Sequence, residues 1–202
     1  MSEAVATFIR YLTAAEEKQL LATVHQVNDV LAQRDHAWMR VLRQTGIRIG
    51  ALAGLTVHDA REGLRKGYLY LRPAIQKRHQ GHSVHLTKKA KIALKDLLKV
   101  RRAMGYGESP EESLIMSRNH RPMSVRSFQA RMRKWCDAGG LNVAATPHWF
   151  RHTLAKRLVA QSTAVDPIGI VQAALGHRSR NSTGVYAMPD REAVAEALEE
   201  AS

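Results

Sequence analysis

Two short patterns in the C-terminal third of the chain combine residue types that can act on an anion. His148-x-x-Arg151 falls in a stretch with helical spacing. Residues three apart on a helix lie side by side, so one proton-transferring imidazole and one permanently charged guanidinium fork can address the same small anion. Leu175-Gly176-His177 comes next, and Tyr186 follows nine residues after that histidine. The polar stretch 179–184 between them reads as a mobile loop that delivers Tyr186. Taken singly, each residue has a plain structural reading. A histidine near a helix start is a cap or a surface residue, and a tyrosine ahead of Ala187-Met188-Pro189 is a half-buried packing residue.

The elements that must position these groups are mostly helices. Thr13-x-x-Glu16 is a capping-box pattern, and Leu20, Leu21, Val24, Val27 and Leu31 continue it at helical spacing, predicting a first helix to about residue 33. A second helix over 37–43 stops at Thr45-Gly46, and a short one carries residues 48–55. Residues 61–67 are polar and glycine-bearing. Tyr68 to Leu71 and Val84 to Leu86 read as two strands around a basic turn. Thr87 caps a long basic amphipathic helix, and Ser124 starts another that ends at Gly139-Gly140. Thr146-Pro147 and Asp166-Pro167 are paired cap-and-proline starts, the second leading to a helix closed by Gly176. Residues 105–110 read as a loop, and a Glu- and Ala-rich helix over 191–201 ends the chain. The class is therefore mainly α with a small antiparallel β-sheet, α+β, and one domain over 1–202.

Composition narrows the partners. Lys and Arg outnumber Asp and Glu by 31 to 18, a net charge of +13, which favours a polyanion, most often nucleic acid. A single cysteine, Cys136, allows no intramolecular disulfide and no cysteine-based zinc site, and reads as a small filler on a helix. No apolar run has membrane-spanning length, and the N-terminus lacks a leader pattern, so a cytoplasmic protein is expected.

Taken together, four boxes resemble those of tyrosine recombinases of the phage-integrase type. Thr45-Gly46-Ile47-Arg48-Ile49-Gly50-Ala51-Leu52 with Ala53-Gly54-Leu55 is similar to the first signature box. Thr146-Pro147-His148-Trp149-Phe150-Arg151-His152-Thr153 resembles the second, and Leu175-Gly176-His177 with Tyr186 its continuation. The hairpin over 68–86 matches the region that holds the family's catalytic lysine, which falls on Lys77. The boxes occur in the family's order over residues 8–190, far more specific than any one motif.

The resemblance implies the catalytic-domain fold and a site-specific recombinase that cleaves and rejoins duplex DNA through a 3′-phosphotyrosine, without metal, other cofactor or ATP. Arg48 and Arg151 would clamp the phosphodiester, and Tyr186 would attack it. His148 would take part in proton transfer with Tyr186, Lys77 would protonate the leaving 5′ oxygen, and His177 would contact the phosphate. Such chemistry needs positioning and compensating charge, which two guanidinium forks supply. A phenol of pKa about 10 must lose its proton as it attacks, and an imidazole is a fitting acceptor. His152 is expected to point away from His148 and to serve packing or a backbone contact. Trp149, Phe150 and Trp135 are expected in the core.

The remaining basic residues lie along two helices: Lys88, Lys89, Lys91, Lys95, Lys99, Arg101 and Arg102 on one, Arg126, Arg131, Arg133 and Lys134 on the other. With Arg78 in the hairpin turn, some of them should track the DNA backbone, and the rest are solvated. The expected partners are duplex DNA with specific recombination sites, further copies of the chain assembled as a tetramer on DNA, and an accessory DNA-bending protein. The chain starts almost at the catalytic domain, either as a fragment or as a short form similar to fimbrial phase-variation invertases, which lack the N-terminal core-binding domain. Residues 191–202 resemble the family segment that docks into a neighbouring protomer; folding back is the alternative. Competing readings are a DNA-binding regulator or structural protein that keeps the fold without the reaction, and a type IB topoisomerase-like relaxing enzyme.

Overall fold

Capping chemistry sets the helix boundaries in the computed structural model, which describes residues 10–76, 79–177, 179, 181–187 and 198–201. Helix α1, Ala14–His25, begins with the expected capping box. It does not run to residue 33. Asp29 accepts a hydrogen bond from the Ala32 amide at 3.1 Å and starts a separate helix, α2, Val30–Thr45. The apolar period continues across the break, but Asn28-Asp29 offers the backbone a better cap than a helix interior.

The short α3, Ile49–Ala53, follows Arg48. Residues 61–67, read only as polar and glycine-bearing, belong to the second half and C-cap of helix α4, Val57–Lys66. Its start is a second capping box, Thr56 with Asp59, and its end is Gly67 at φ 85°. A Cβ on Gly63 would lie 3.2 Å from Leu69 Cδ1, so this glycine lets the helix pack closely on the sheet.

Strands β1, Tyr68–Leu71, and β2, His82–His85, pair antiparallel with Leu69 opposite Val84 and Leu71 opposite His82. Leu69, Leu71 and Val84 face the core while Tyr68 and Tyr70 face out, the alternation of a half-buried sheet. Helix α5, Lys88–Ala103, starts at Thr87, and α6, Val125–Ala138, starts at Ser124, both as expected. Residues 105–110 lie outside any helix or strand.

Helix α7, Trp149–Gln161, starts later than Thr146-Pro147 predicts, because His148 occupies the cap position and makes no side-chain cap. The Thr146 carbonyl accepts the Trp149 amide at 2.9 Å, so a turn takes over the role expected of the hydroxyl. Helix α8, Pro167–Leu175, is capped by Asp166 and closed by Gly176 at φ 64°. The stretch expected as a loop holds a helical turn, α9, Asn181–Gly184. Residues 198–200 are helical, and most of the expected terminal helix lies outside the described residues. Among the described residues no helix is long and apolar enough to cross a membrane.

The main core surrounds α2, with Trp38, Leu42, Phe128 and Phe150 enclosed and Trp38 meeting Phe128 edge-on at 5.2 Å. Trp149 packs against this core and Trp135 and Cys136 are buried in it, as expected. The Asp35 carboxylate at its edge receives Arg34 at 2.8 Å, the Trp38 indole at 3.1 Å, the Trp135 indole at 2.8 Å and Arg131. A buried carboxylate supplied with this many donors is solvated by the protein itself. A separate small cluster joins Ala155, Val171, Leu175 and Tyr186.

Candidate active site

Segments far apart in sequence converge on one open cavity of about 640 Å³, lined by Arg48, His148, Arg151, His177 and Tyr186. Gln76, Gln80, Gly81 and His82 of the hairpin close another wall. Lys77 and Arg78, expected in that turn, lie outside the described residues.

Arg48 reaches the cavity because α2 stops abruptly at Gly46, whose φ of 61° suits glycine. A Cβ there would also stand 2.6 Å from Leu175 Cδ2 and 2.9 Å from Leu154 Cδ2. The close approach lets the Gly46 carbonyl accept an N–H of Arg151 at 2.7 Å. A second guanidinium N–H is donated to the Leu175 carbonyl at 2.7 Å. Arg151, only 3% exposed, is thus anchored between the C-terminal ends of α2 and α8. Those ends carry unpaired carbonyls and partial negative charge, which suits a buried cation. Burial and the neighbouring Arg48 still bring the Arg151 pKa down to about 10, so it remains charged at neutral pH.

Gly176 performs the matching task on the other wall. Its left-handed backbone ends α8, and the His82 ring lies against it at 3.0 Å from where a Cβ would be. His82 Nε2 lies 3.3 Å from the Ala174 carbonyl, which ties the hairpin to α8. His177 follows immediately, with Nδ1 2.9 Å from the buried Thr183 hydroxyl. Burial lowers its pKa to about 4, with Arg151, Arg48 and His148 adding to the effect.

Tyr186 is 4% exposed. Its ring is stacked with His177 at 6.1 Å, and its hydroxyl lies 3.0 Å from Nδ1 of His152. This corrects the expectation for His152. One helical turn separates it from His148, their rings meet edge-to-face at 4.4 Å, and its nitrogen touches the phenol instead of packing away from the site. The four-residue spacing signals that His152 shares a face with His148, since residues i and i+4 lie side by side on a helix, but not that it meets the phenol. Burial, with His148, Arg151 and His177, lowers His152 to about 4. Burial raises the Tyr186 pKa against the pull of Arg151 and Arg48. His148 is open to solvent along one edge, yet partial desolvation, Arg151 and Arg48 hold its ring below the usual histidine value. Two guanidiniums and the imidazoles of His148 and His177 line one cavity, and the concentration of positive charge there helps hold both imidazoles below the usual histidine value.

Two expected DNA contacts are spent elsewhere. Arg131 donates to the Asp35 carboxylate and lies over the Trp135 ring at 5.3 Å, so it belongs to the core network. Arg101, 3% exposed, donates to the carbonyls of Gly107 at 2.8 Å and Ser113 at 2.6 Å and pairs with Glu112. Lys88, Lys89, Arg126 and Arg133 are exposed, and Lys91 is half-buried.

A helical domain with a small hairpin that gathers two arginines, histidines and a tyrosine around one open cavity defines the class. The chain belongs to the phage integrase family, whose pattern it matches over residues 10–193. It is 31% identical over 173 residues to the tyrosine recombinase XerC of Neisseria meningitidis serogroup C / serotype 2a, covering 86% of this chain and 53% of that protein. The crystal structure of XerA recombinase is similar with a TM-score of 0.73 at 21% identity, covering 98% of this chain and 66% of that one. That of the XerH site-specific recombinase bound to difH substrate gives 0.70 at 17% identity, covering 94% and 53%. The chain spans about half the length of the curated relatives it matches.

Proposed function

We propose that this chain is the catalytic domain of a tyrosine-type site-specific DNA recombinase that cleaves and rejoins duplex DNA through a 3′-phosphotyrosine. The observation that carries the reading is the convergence of Arg48, His148, Arg151, His177 and Tyr186 on one cavity. Arg48 and Arg151 hold the non-bridging oxygens of the scissile phosphate and offset the charge that develops on them. Tyr186 attacks phosphorus, His177 contacts the phosphate, His148 takes part in proton transfer, and Lys77 protonates the departing 5′ oxygen. The ester energy is kept in the phosphotyrosine, so a 5′-hydroxyl of a second strand reverses the attack without ATP. Arginine at the clamp also suits a site without a metal ion.

The substrate is duplex DNA with specific recombination sites, bound by copies of the chain assembled as a tetramer, with an accessory DNA-bending protein as a further partner. XerH, a similar protein, is bound to its difH substrate in the solved structure. Lys88, Lys89, Lys91, Arg126 and Arg133, with Arg78 of the hairpin, track phosphates and make binding salt-dependent. Residues 191–202 dock into a neighbouring protomer. The protein works in the cytoplasm, on the nucleoid.

The test is incubation with nicked duplex DNA carrying candidate sites, without magnesium, followed by denaturing electrophoresis. A covalent adduct that disappears in Tyr186→Phe is the expected result. An adduct that persists in that variant would remove Tyr186 from the nucleophile's role.

A further inference from the structure

We propose that His152, one turn beyond the His-x-x-Arg pair, and not His148 as the resemblance implies, is the group that holds the Tyr186 phenol and receives its proton during cleavage. The proposal rests on the recombinase reading above, and three observations carry it. His152 Nδ1 lies 3.0 Å from the Tyr186 hydroxyl, within hydrogen-bond distance. His148 lines the cavity, whereas His152 stands behind the phenol, against the ring that is to be deprotonated. The His148 ring meets His152 edge-to-face at 4.4 Å and limits how far it can turn away.

For the proton to move to His152, the phenol O–H donates to His152 Nδ1, which accepts it, and the histidine carries its own hydrogen on Nε2. At rest the proton stays on oxygen, because burial and the facing groups His148, Arg151 and His177 keep His152 weakly basic while burial raises Tyr186. A phosphate between Arg48, Arg151 and His177 acts on both groups. Its negative charge favours the imidazolium, and the attack draws the proton from the phenol as the oxygen bonds to phosphorus.

The step balances. The Tyr186 oxygen forms a bond to phosphorus, the phosphorus–5′-oxygen bond breaks, and the phenol proton moves to His152 Nδ1. The leaving 5′ oxygen takes its proton from the general acid of the proposed reaction. When a 5′-hydroxyl attacks in return, the imidazolium gives the proton back to the tyrosine oxygen.

The first measurement needs no DNA. Long-range nitrogen–proton spectra of the full chain with labelled histidine should show His152 as the Nε2–H tautomer near neutral pH. Tyr186→Phe should shift its Nδ1 resonance, and the other tautomer, or an unmoved resonance, overturns the proposal. The second follows adduct formation against pH on nicked DNA. His152→Asn keeps an acceptor near Nδ1 but cannot take a proton, and should slow the adduct by ~10²-fold or more near neutral pH, with partial recovery as pH rises. A uniform loss with an unchanged pH profile would mark a merely structural residue and overturn the proposal, as would a wild-type rate. An adduct retained in Tyr186→Phe instead sinks the nucleophile reading, so the two failures are distinguishable.

Discussion

The cluster around α2 encloses Trp38, Phe128 and Phe150 completely, while among the described residues the cluster that holds Tyr186 has only Ala155, Val171 and Leu175 buried with it. Helix α7 joins them, since Phe150 belongs to the first and Ala155 to the second. The same contrast holds for buried charge. Asp35 is served by two arginines and two indoles, whereas Arg151 is anchored by two carbonyls and also lines an open cavity. The first region is closed in packing and in hydrogen bonding. The second spends little apolar burial and leaves cationic groups facing a space that an anion can fill. Stability resides in one cluster and chemistry in the other, with Arg151 anchored to helix ends supplied by both.

Unequal effects of substitution would sharpen that contrast. Trp38→Ala should cost ~3–5 kcal/mol and lower both clusters together, as followed by urea denaturation. Leu175→Ala should cost about 2 kcal/mol, the low end for a buried leucine, because the small cluster has less around it to lose. Hydrogen exchange should place that loss in residues 181–187 and spare α2. Equal exchange changes in both regions would mean that the clusters unfold as one unit.

Gly46→Ala acts on the joint between them. Its positive φ and the 2.6 Å approach to Leu175 predict a cost of about 1–3 kcal/mol. Because the Gly46 carbonyl anchors Arg151, DNA cleavage should fall by more than the stability loss explains. Full cleavage by folded Gly46→Ala protein would show that the anchor can shift without harm.

The remaining contrast concerns pH. His36 on α2, with His152 and His177 in the site, have pKa values near 4, against about 6.5 for an unfolded histidine. Between those values the unfolded chain binds more protons, so stability rises with pH through this window and levels off above it. His152→Asn combined with His177→Asn should flatten part of the rise and leave the His36 share. An unchanged slope in urea midpoints from pH 4.5 to 7 would put the titration elsewhere.

Much of this architecture was legible in local chemistry. The caps at Thr13, Thr87, Ser124 and Asp166 and the stops at Gly46 and Gly176 fall where the residue types predict. The break at Asp29 and the whole of α4 were hidden. In the first case an apolar period ran through a cap, and in the second a mid-helix glycine looked like a breaker while serving a close contact with Leu69. Arg131 and Arg101 looked like phosphate ligands because sequence displays charge without burial, and only folding brings Asp35 and Glu112 beside them.

By itself the sequence determined the residues that could do the chemistry, since type, order and spacing are local properties and the boxes can be read from them. It also determined most element ends, because a cap acts over three or four residues. The tertiary structure decided which histidine meets the phenol, because His152 and Tyr186 are 34 residues apart and touch only when α7, α8 and α9 pack. It likewise decided that Arg151 is held by two helix ends. Contacts at such separations depend on which surfaces bury each other, and no spacing along the chain encodes that.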